Sequence, residues 1–223
     1  MKAAYYGWSA SDIVMLPPKP VVKYSEDQPR DERGRFGSGG ASVLSESSWK
    51  SLSDQYASKL TSAEKSTLTD YQRAQWINSD LRDGVSRPQN KAIIASLDTA
   101  VAKGSLLEET TLLRGVSSEA ESILSLKEGQ GFVDKGFVST SASASFVNEF
   151  MAFDTDPREG ALLRITAPAG TPAAFLGFTG AQDRMKEQEV LLPRNSVFSV
   201  TKDTPATDTS PRVIELAWRG VKK

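Results

Sequence analysis

From Ser42 onward the apolar positions fall at helical spacing. Trp49, Leu52, Tyr56 and Leu60 recur every three or four residues, the repeat that lines up side chains on one face of an α-helix. Ser62 followed by Lys65 and Ser66 reads as a turn before a second helix. The pattern carries that helix from Ala63 or Ser66 to Arg82, with Tyr71, Ala74, Asn78 and Leu81 near one face and Gly84 closing it. A third helix is predicted over residues 89–103, with Ile93, Ile94, Leu97, Ala100 and Val101 as its apolar positions and a stop at Gly104.

Past that glycine the pattern changes to short β-rich runs at 111–113, 136–141, 161–166, 187–192, 197–200 and 213–218, separated by Gly, Pro, Asp and Asn clusters. Helices and strands in separate blocks indicate an α+β fold. The connection Leu192-Pro193-Arg194-Asn195-Ser196 between the fourth and fifth runs is short enough for a hairpin, so antiparallel pairing is expected. No internal repeat is visible.

Residues 1–40 follow neither period. After Pro17, Pro18 and Pro20 comes KYSEDQPRDERGRFGSGG, which has too little apolar surface to offset the entropy of ordering it. It is expected to be an extended arm or linker, with residues 41–223 forming the folded domain. Tyr5, Tyr6, Trp8, Ile13, Val14 and Leu16 nevertheless give the arm apolar positions with which to dock on a partner or on the domain itself.

Composition narrows the chemistry. A chain of 223 residues with 27 basic and 28 acidic side chains is near neutral, which argues against binding nucleic acid through bulk electrostatics. There is no cysteine, so no disulfide, thiolate nucleophile or thiolate-held metal exists. There is no histidine either, which removes the Ser-His-Asp triad and imidazole-ligated metals. An enzyme built from this chain works with carboxylates, hydroxyls, Arg, Lys and backbone groups, and no metal is expected. No apolar run approaches the roughly 18 to 20 residues needed to span a bilayer, and the N-terminal stretch lacks a signal-peptide pattern. A cytoplasmic location without membrane association is expected.

Three short stretches have chemical potential. In Glu187-Gln188-Glu189, strand alternation would put both carboxylates on one face, an unfavourable pairing that asks for a function, although two solvated glutamates at a strand edge have the same pattern. In Ser139-Thr140-Ser141, alternation sends Ser139 and Ser141 to one face, where a hydroxyl can orient a carboxylate. Arg114-Gly115 ends the first β-run. An arginine there can grip a phosphate in bidentate fashion or simply face solvent.

In this order and spacing, the three stretches resemble the Arg/Ser-Thr-Ser/Glu-x-Glu class of mono-ADP-ribosyltransferases, the superfamily of clostridial C2- and C3-like toxins. Leu68, Tyr71, Asn78, Leu81 and Arg82 are similar to that family's Tyr...Ile-Asn-x-x-Leu-Arg helix. Gly129-Gln130-Gly131-Phe132 leading to Lys135-Gly136-Phe137 resembles its approach to the Ser-Thr-Ser strand. Ala167-Pro168-Ala169-Gly170-Thr171 and Leu191-Leu192-Pro193-Arg194 match further landmarks. The resemblance covers roughly residues 42–220. One departure is Ala74, which stands where the family commonly has an aromatic, with Trp76 off register. Asn195 replaces a common glycine and keeps the turn because Asn tolerates positive φ.

The resemblance implies two perpendicular antiparallel sheets with helices packed around them and NAD, as a substrate, in the cleft between. It implies that Arg114 holds a cofactor phosphate and Gly115 the nicotinamide carboxamide, with Ser139, Thr140, Ser141, Asn78, Arg82 and Phe137 forming the rest of the NAD site. Glu189, fixed by Ser139, would stabilise the oxocarbenium-like centre formed as nicotinamide leaves. Glu187 would bind the acceptor and take its proton. In relatives that modify asparagine this position is glutamine, so Glu187 implies an arginine acceptor on a target protein. Residues 177–186 correspond to the acceptor-recognition loop, with Phe178 either its exposed aromatic or a buried strand-end phenylalanine. An NAD glycohydrolase would share every one of these groups, and a non-catalytic structural protein would retain the fold alone. Residues 28–40 resemble an Arg/Gly-rich segment of phage head-morphogenesis proteins, which implies a phage-encoded enzyme acting in a bacterial host and an arm that contacts a virion or partner.

Overall fold

The computed structural model describes residues 13–16 (as backbone), 42–73, 76–117, 120–148, 160–178, 186–208 and 210–222. Helix α1 (Glu46–Ser58) starts where Ser45 accepts a hydrogen bond from the Ser48 N–H, and it buries Trp49, Ser53 and Tyr56 on one stripe. Helix α2 (Ser62–Tyr71) opens on a reciprocal cap. The Thr61 hydroxyl accepts from the Glu64 N–H, and the Glu64 carboxylate accepts from the Thr61 N–H at 2.8 Å. The start therefore lies at Ser62, with the cap formed by Thr61 and Glu64 rather than a turn through Ser66.

The predicted second helix is two helices. Helix α2 ends at Tyr71 with Gln72 as its cap, and α3 (Trp76–Asp83) follows. Tyr71 and Asn78 both face inward, so the apolar stripe runs across the break and periodicity alone cannot register it. Ala74 lies outside the described residues. Gly84 closes α3 as expected, at φ +70, with the Val85 N–H reaching back to the Asp80 carbonyl at 2.8 Å. Helix α4 (Pro88–Val101) has proline in its first turn and buries Leu97, Ala100 and Val101. Gly104 is required for a different reason from Gly84: a Cβ there would stand 2.2 Å from the Ala173 carbonyl.

The strands are β1 (Ile13–Leu16), β2 (Thr110–Val116), β3 (Gly131–Asp134), β4 (Val138–Ser141), β5 (Ala161–Ala167), β6 (Ala174–Phe175), β7 (Glu189–Leu192), β8 (Ser196–Thr204) and β9 (Arg212–Val221), with the short helix α5 (Glu121–Leu124) between β2 and β3. Among the described residues they form one ladder in the order β1-β3-β8-β9-β5-β2-β4-β7-β6. The link between β2 and β4 is a single pair, Leu113 opposite Ser141, so the ladder divides there into a six-strand and a three-strand part. The α+β class holds; where two perpendicular antiparallel sheets were expected, the described strands form one mixed ladder narrowed to a single pair at this seam, in which β5 and β9 run parallel.

The expected hairpin at Pro193-Arg194-Asn195 is also absent. Strand β7 pairs with β4 and β6, whereas β8 pairs with β3 and β9, so these residues form a corner that passes the chain from one part of the sheet to the other. A short connection permits a hairpin but does not require one. Asn195 sits at φ 60, and the Arg194 guanidinium forks onto the Asp98 carboxylate of α4, with contacts of 2.9 to 3.1 Å. In the arm, β1 pairs antiparallel with β3. Among the described residues no helix is long and apolar enough to cross a membrane.

The core fills the space between the helices and the sheet: Trp49, Tyr56, Leu68 and Leu97 from the helices meet Leu112, Leu163, Phe175 and Val190 from the strands. Two paired carboxylates lie at its margin, Glu64 joining α2 to the end of α4 and Asp203 joining the paired strands β8 and β9. The Lys103 ammonium, then the Thr61 N–H, hold the Glu64 carboxyl below its ordinary value, and Arg212 does the same for Asp203. A carboxyl lowered in the folded state gives stability that is present above its unfolded value of about 4 and is lost as pH falls through the folded value. Replacing Lys103 by Met is therefore expected to lower the thermal midpoint at pH 7, with the gap to wild type shrinking as the pH is taken from about 5 towards 3.

Candidate active site

Strands β4 and β7 build the site. Their register sets Ser141 opposite Glu189 and Ser139 opposite Leu191, so Ser139 and Glu189 are diagonal neighbours on one face. The Ser139 hydroxyl donates to Glu189 Oε1 at 2.6 Å. Thr140 faces the other way, and its hydroxyl donates to the Val190 carbonyl at 2.6 Å, pinning β4 to β7. Glu189 is buried, and its second oxygen, Oε2, accepts from the Gln72 amide at 2.7 Å. Strand alternation thus locates the serine pair correctly, whereas Gln72, a polar residue beside an apolar stripe at a helix end, carries no sequence signal.

Arg114 stands on β2, the strand next to β4, and its Nη1 donates to the Ser139 carbonyl at 2.7 Å. Gly115 follows it on the same strand. The arginine therefore joins the serine that holds Glu189, and the three groups expected from the sequence converge on one region.

Glu187 does not occupy the expected strand position. It lies in a helical turn, and Gln188 takes φ +47, so the alternation stops short of it and the two carboxylates do not stand side by side on a pleated edge. A left-handed backbone at a non-glycine residue costs on the order of 1 to 3 kcal/mol. Hydrogen bonds on both sides hold it: Ser141 Oγ donates to the Glu187 carbonyl at 2.5 Å, and the Ala142 N–H donates to the Gln188 carbonyl at 3.0 Å. Ser141 also accepts from the Ser143 N–H, so its hydroxyl shapes the backbone that presents Glu187.

Asn78, Arg82 and Phe137 lie behind the strand and are engaged there. The Asn78 amide donates to the Tyr71 hydroxyl at 2.7 Å and to the Phe137 carbonyl at 3.0 Å, while its oxygen accepts from the Phe137 N–H at 2.9 Å. Arg82 forks onto Asp134 with two 3.0 Å bonds, and the same carboxylate accepts from the Gly136 N–H. Phe137 is fully buried against Tyr71. These groups set the entry of β4 from within the core.

Phe178 is half-buried rather than exposed, packing on Tyr56 with ring centroids 6.2 Å apart. Gly177 explains the anchorage: its N–H donates to Ser53 Oγ, and a Cβ would meet Trp49 and Ser53 at 2.6 Å, so the backbone lies flat on α1. Residues 179–185 of the expected recognition loop are outside the described residues.

A buried carboxylate gripped by the first serine of a Ser-Thr-Ser strand, beside an arginine from the neighbouring strand, on this two-part sheet, defines the Arg/Ser-Thr-Ser/Glu-x-Glu class of ADP-ribosyltransferases. The chain belongs to the ADP-ribosyltransferase exoenzyme family, whose sequence profile matches residues 46–219. It is 28% identical over 186 residues to the NAD(+)-arginine ADP-ribosyltransferase EFV of Enterococcus faecalis; the match takes in 80% of this chain and 36% of that protein. Among solved structures, Plx2a, an ADP-ribosyltransferase toxin from Paenibacillus larvae, superposes with a TM-score of 0.66 at 23% identity, covering 78% of this chain and 95% of the toxin. The C3 exoenzyme of Clostridium limosum gives 0.64 at 18% identity, covering 79% and 96%.

The network behind β4 has little room. A Cβ on Gly136 would stand 3.0 Å from Asn78 Oδ1 and 3.2 Å from Arg82 Nε, both locked by their own hydrogen bonds. Gly136→Ala is expected to cost about 1 to 3 kcal/mol through overpacking. A lowered urea midpoint with an unchanged m-value would verify it.

Proposed function

We propose that the protein transfers ADP-ribose from NAD to an arginine side chain of a target protein and releases nicotinamide. The observation that carries this is the buried Glu189 carboxylate held by Ser139 at 2.6 Å beside Arg114. The kinship with an NAD(+)-arginine ADP-ribosyltransferase supports the choice of acceptor.

In this reading Arg114 and Gly115 bind NAD, the arginine through a phosphate and the glycine through the nicotinamide carboxamide. The bond between the ribose anomeric carbon and the nicotinamide nitrogen breaks, and its electron pair leaves with nicotinamide. Positive charge develops at the ribose, and Glu189 supplies a fixed anion there without having to reorganise. A guanidinium nitrogen of the acceptor then bonds to the anomeric carbon, and its proton passes to Glu187. A carboxylate suits that position because it both matches the guanidinium fork and accepts the proton. Phe178, packed on Tyr56, would contribute to recognition of the acceptor.

Two substitutions test the assignment. Glu189→Gln removes the fixed charge, and a loss of roughly a hundred- to a thousandfold is expected in both transfer and NAD cleavage, with the circular dichroism spectrum unchanged. Nicotinamide release at the wild-type rate would refute the role of Glu189. Glu187→Gln should suppress labelling of agmatine or protein arginine while nicotinamide release survives, because water needs little help to reach the cation. A parallel fall of both activities would show that the two glutamates do not divide the work in this way, and a wild type that destroys NAD without labelling arginine would make the protein a glycohydrolase.

A further inference from the structure

The Glu189 side chain receives a second donor that none of the three motifs supplies. Gln72 Nε2 lies 2.7 Å from Oε2, the oxygen not taken by Ser139. We propose that Gln72 is a positioning residue for Glu189, fixing the plane of its carboxylate towards the reacting ribose. The proposal rests on the transferase reading and adds to it a residue from the α2–α3 break.

The physical need is specific. The terminal torsion of a glutamate is broad and roughly two-fold, so a single bond to Ser139 locates one oxygen but leaves the carboxylate free to swing about it. A second donor on the other oxygen, coming from a different element, removes that freedom. Gln72 is itself well held. It caps α2 with its N–H on the Leu68 carbonyl at 3.2 Å, and its neighbour Tyr71 is buried and tied to Asn78. Both donors to Glu189, the serine hydroxyl and the glutamine amide, are neutral, so they orient the anion without cancelling the charge that the reaction uses. A lysine or arginine at residue 72 would reach the same oxygen and neutralise it.

The test uses the full chain and the nearly isosteric variant Gln72→Met, which keeps the volume and deletes the donor. A hydrogen bond to a charged group is worth enough that kcat for nicotinamide release should fall roughly 10- to 100-fold, with KM for NAD within about threefold and the circular dichroism spectrum of the folded protein retained. In a Glu189→Gln background the same substitution should cost nothing further, because the group it acts through is gone. An unchanged kcat, or a rise in KM alone, would overturn the proposal, as would an equal loss in the Glu189→Gln background.

A second measurement needs no substrate. In the 15N–1H spectrum of the protein, the side-chain amide pair that vanishes in Gln72→Met should lie away from the exposed glutamines and move when Glu189→Gln is introduced. A pair among the exposed glutamines, indifferent to that substitution, overturns the contact whatever the activity. If the pair behaves as expected but the wild type releases no nicotinamide, the carboxylate clamp stands and the transferase reading is the part that fails.

Discussion

The arrangement of the site depends on one buried ion pair. Arg82 and Asp134 have side chains only 2% and 1% exposed, and each is useful only while the other is present. Asp134 ends β3 and also accepts from the Gly136 N–H, so the pair fixes the short link from β3 to β4. The next residue, Phe137, is gripped at both backbone groups by Asn78, and Ser139 lies two residues further on. Helix α3 therefore dictates where the serine strand enters the sheet. The cost of desolvating two charges is offset by bidentate geometry and by the backbone bond, which leaves little freedom for β4 to shift.

From that fixed strand the rest of the site follows by registry. Ser139 and Glu189 meet because β4 and β7 run antiparallel with Ser141 opposite Glu189. Arg114 is brought alongside through its bond to the Ser139 carbonyl, across the seam where β2 and β4 share a single pair. A seam of one pair leaves the two parts of the sheet free to diverge, and Arg114, Ser139 and Glu189 meet beside it. The electrostatic character of the site is set by proximity: one cationic side chain supports the backbone of the residue that orients the anion.

Much of this was legible in the sequence, for reasons that also mark where legibility ends. Alternation along Ser139-Thr140-Ser141 correctly divided the faces, and Gly84 and Asn195 took the left-handed conformations their chemistry allows. Strand β3 leaves no mark in the pattern because Gly131-Phe132-Val133-Asp134 is four residues long and buried on both faces, which gives no alternation. The corner at Pro193-Arg194-Asn195 reads as a hairpin in the sequence because chain length between strands does not say which neighbours they pair with. The break after Tyr71 was invisible because the inward stripe continues through Ile77 and Asn78. Glu187 falls outside the strand because the alternation expected over 187–192 overruns the strand start by two residues, past a glutamine whose left-handed backbone no propensity predicts.

The reversal at Gln188 has a consequence for how such a site can change. In a continuous strand, residues two apart share a face and a pleat, so altering one disturbs the packing of the other. Here the turn before β7 separates the two glutamates mechanically. Glu189 belongs to the rigid ladder between β4 and β6, while Glu187 is carried on a backbone held by a serine hydroxyl and one N–H. The side chain at 187 can therefore be exchanged without moving the carboxylate at 189. On the division of labour proposed for the two glutamates, acceptor preference and cleavage of the glycosidic bond would be free to evolve along separate lines within three consecutive residues.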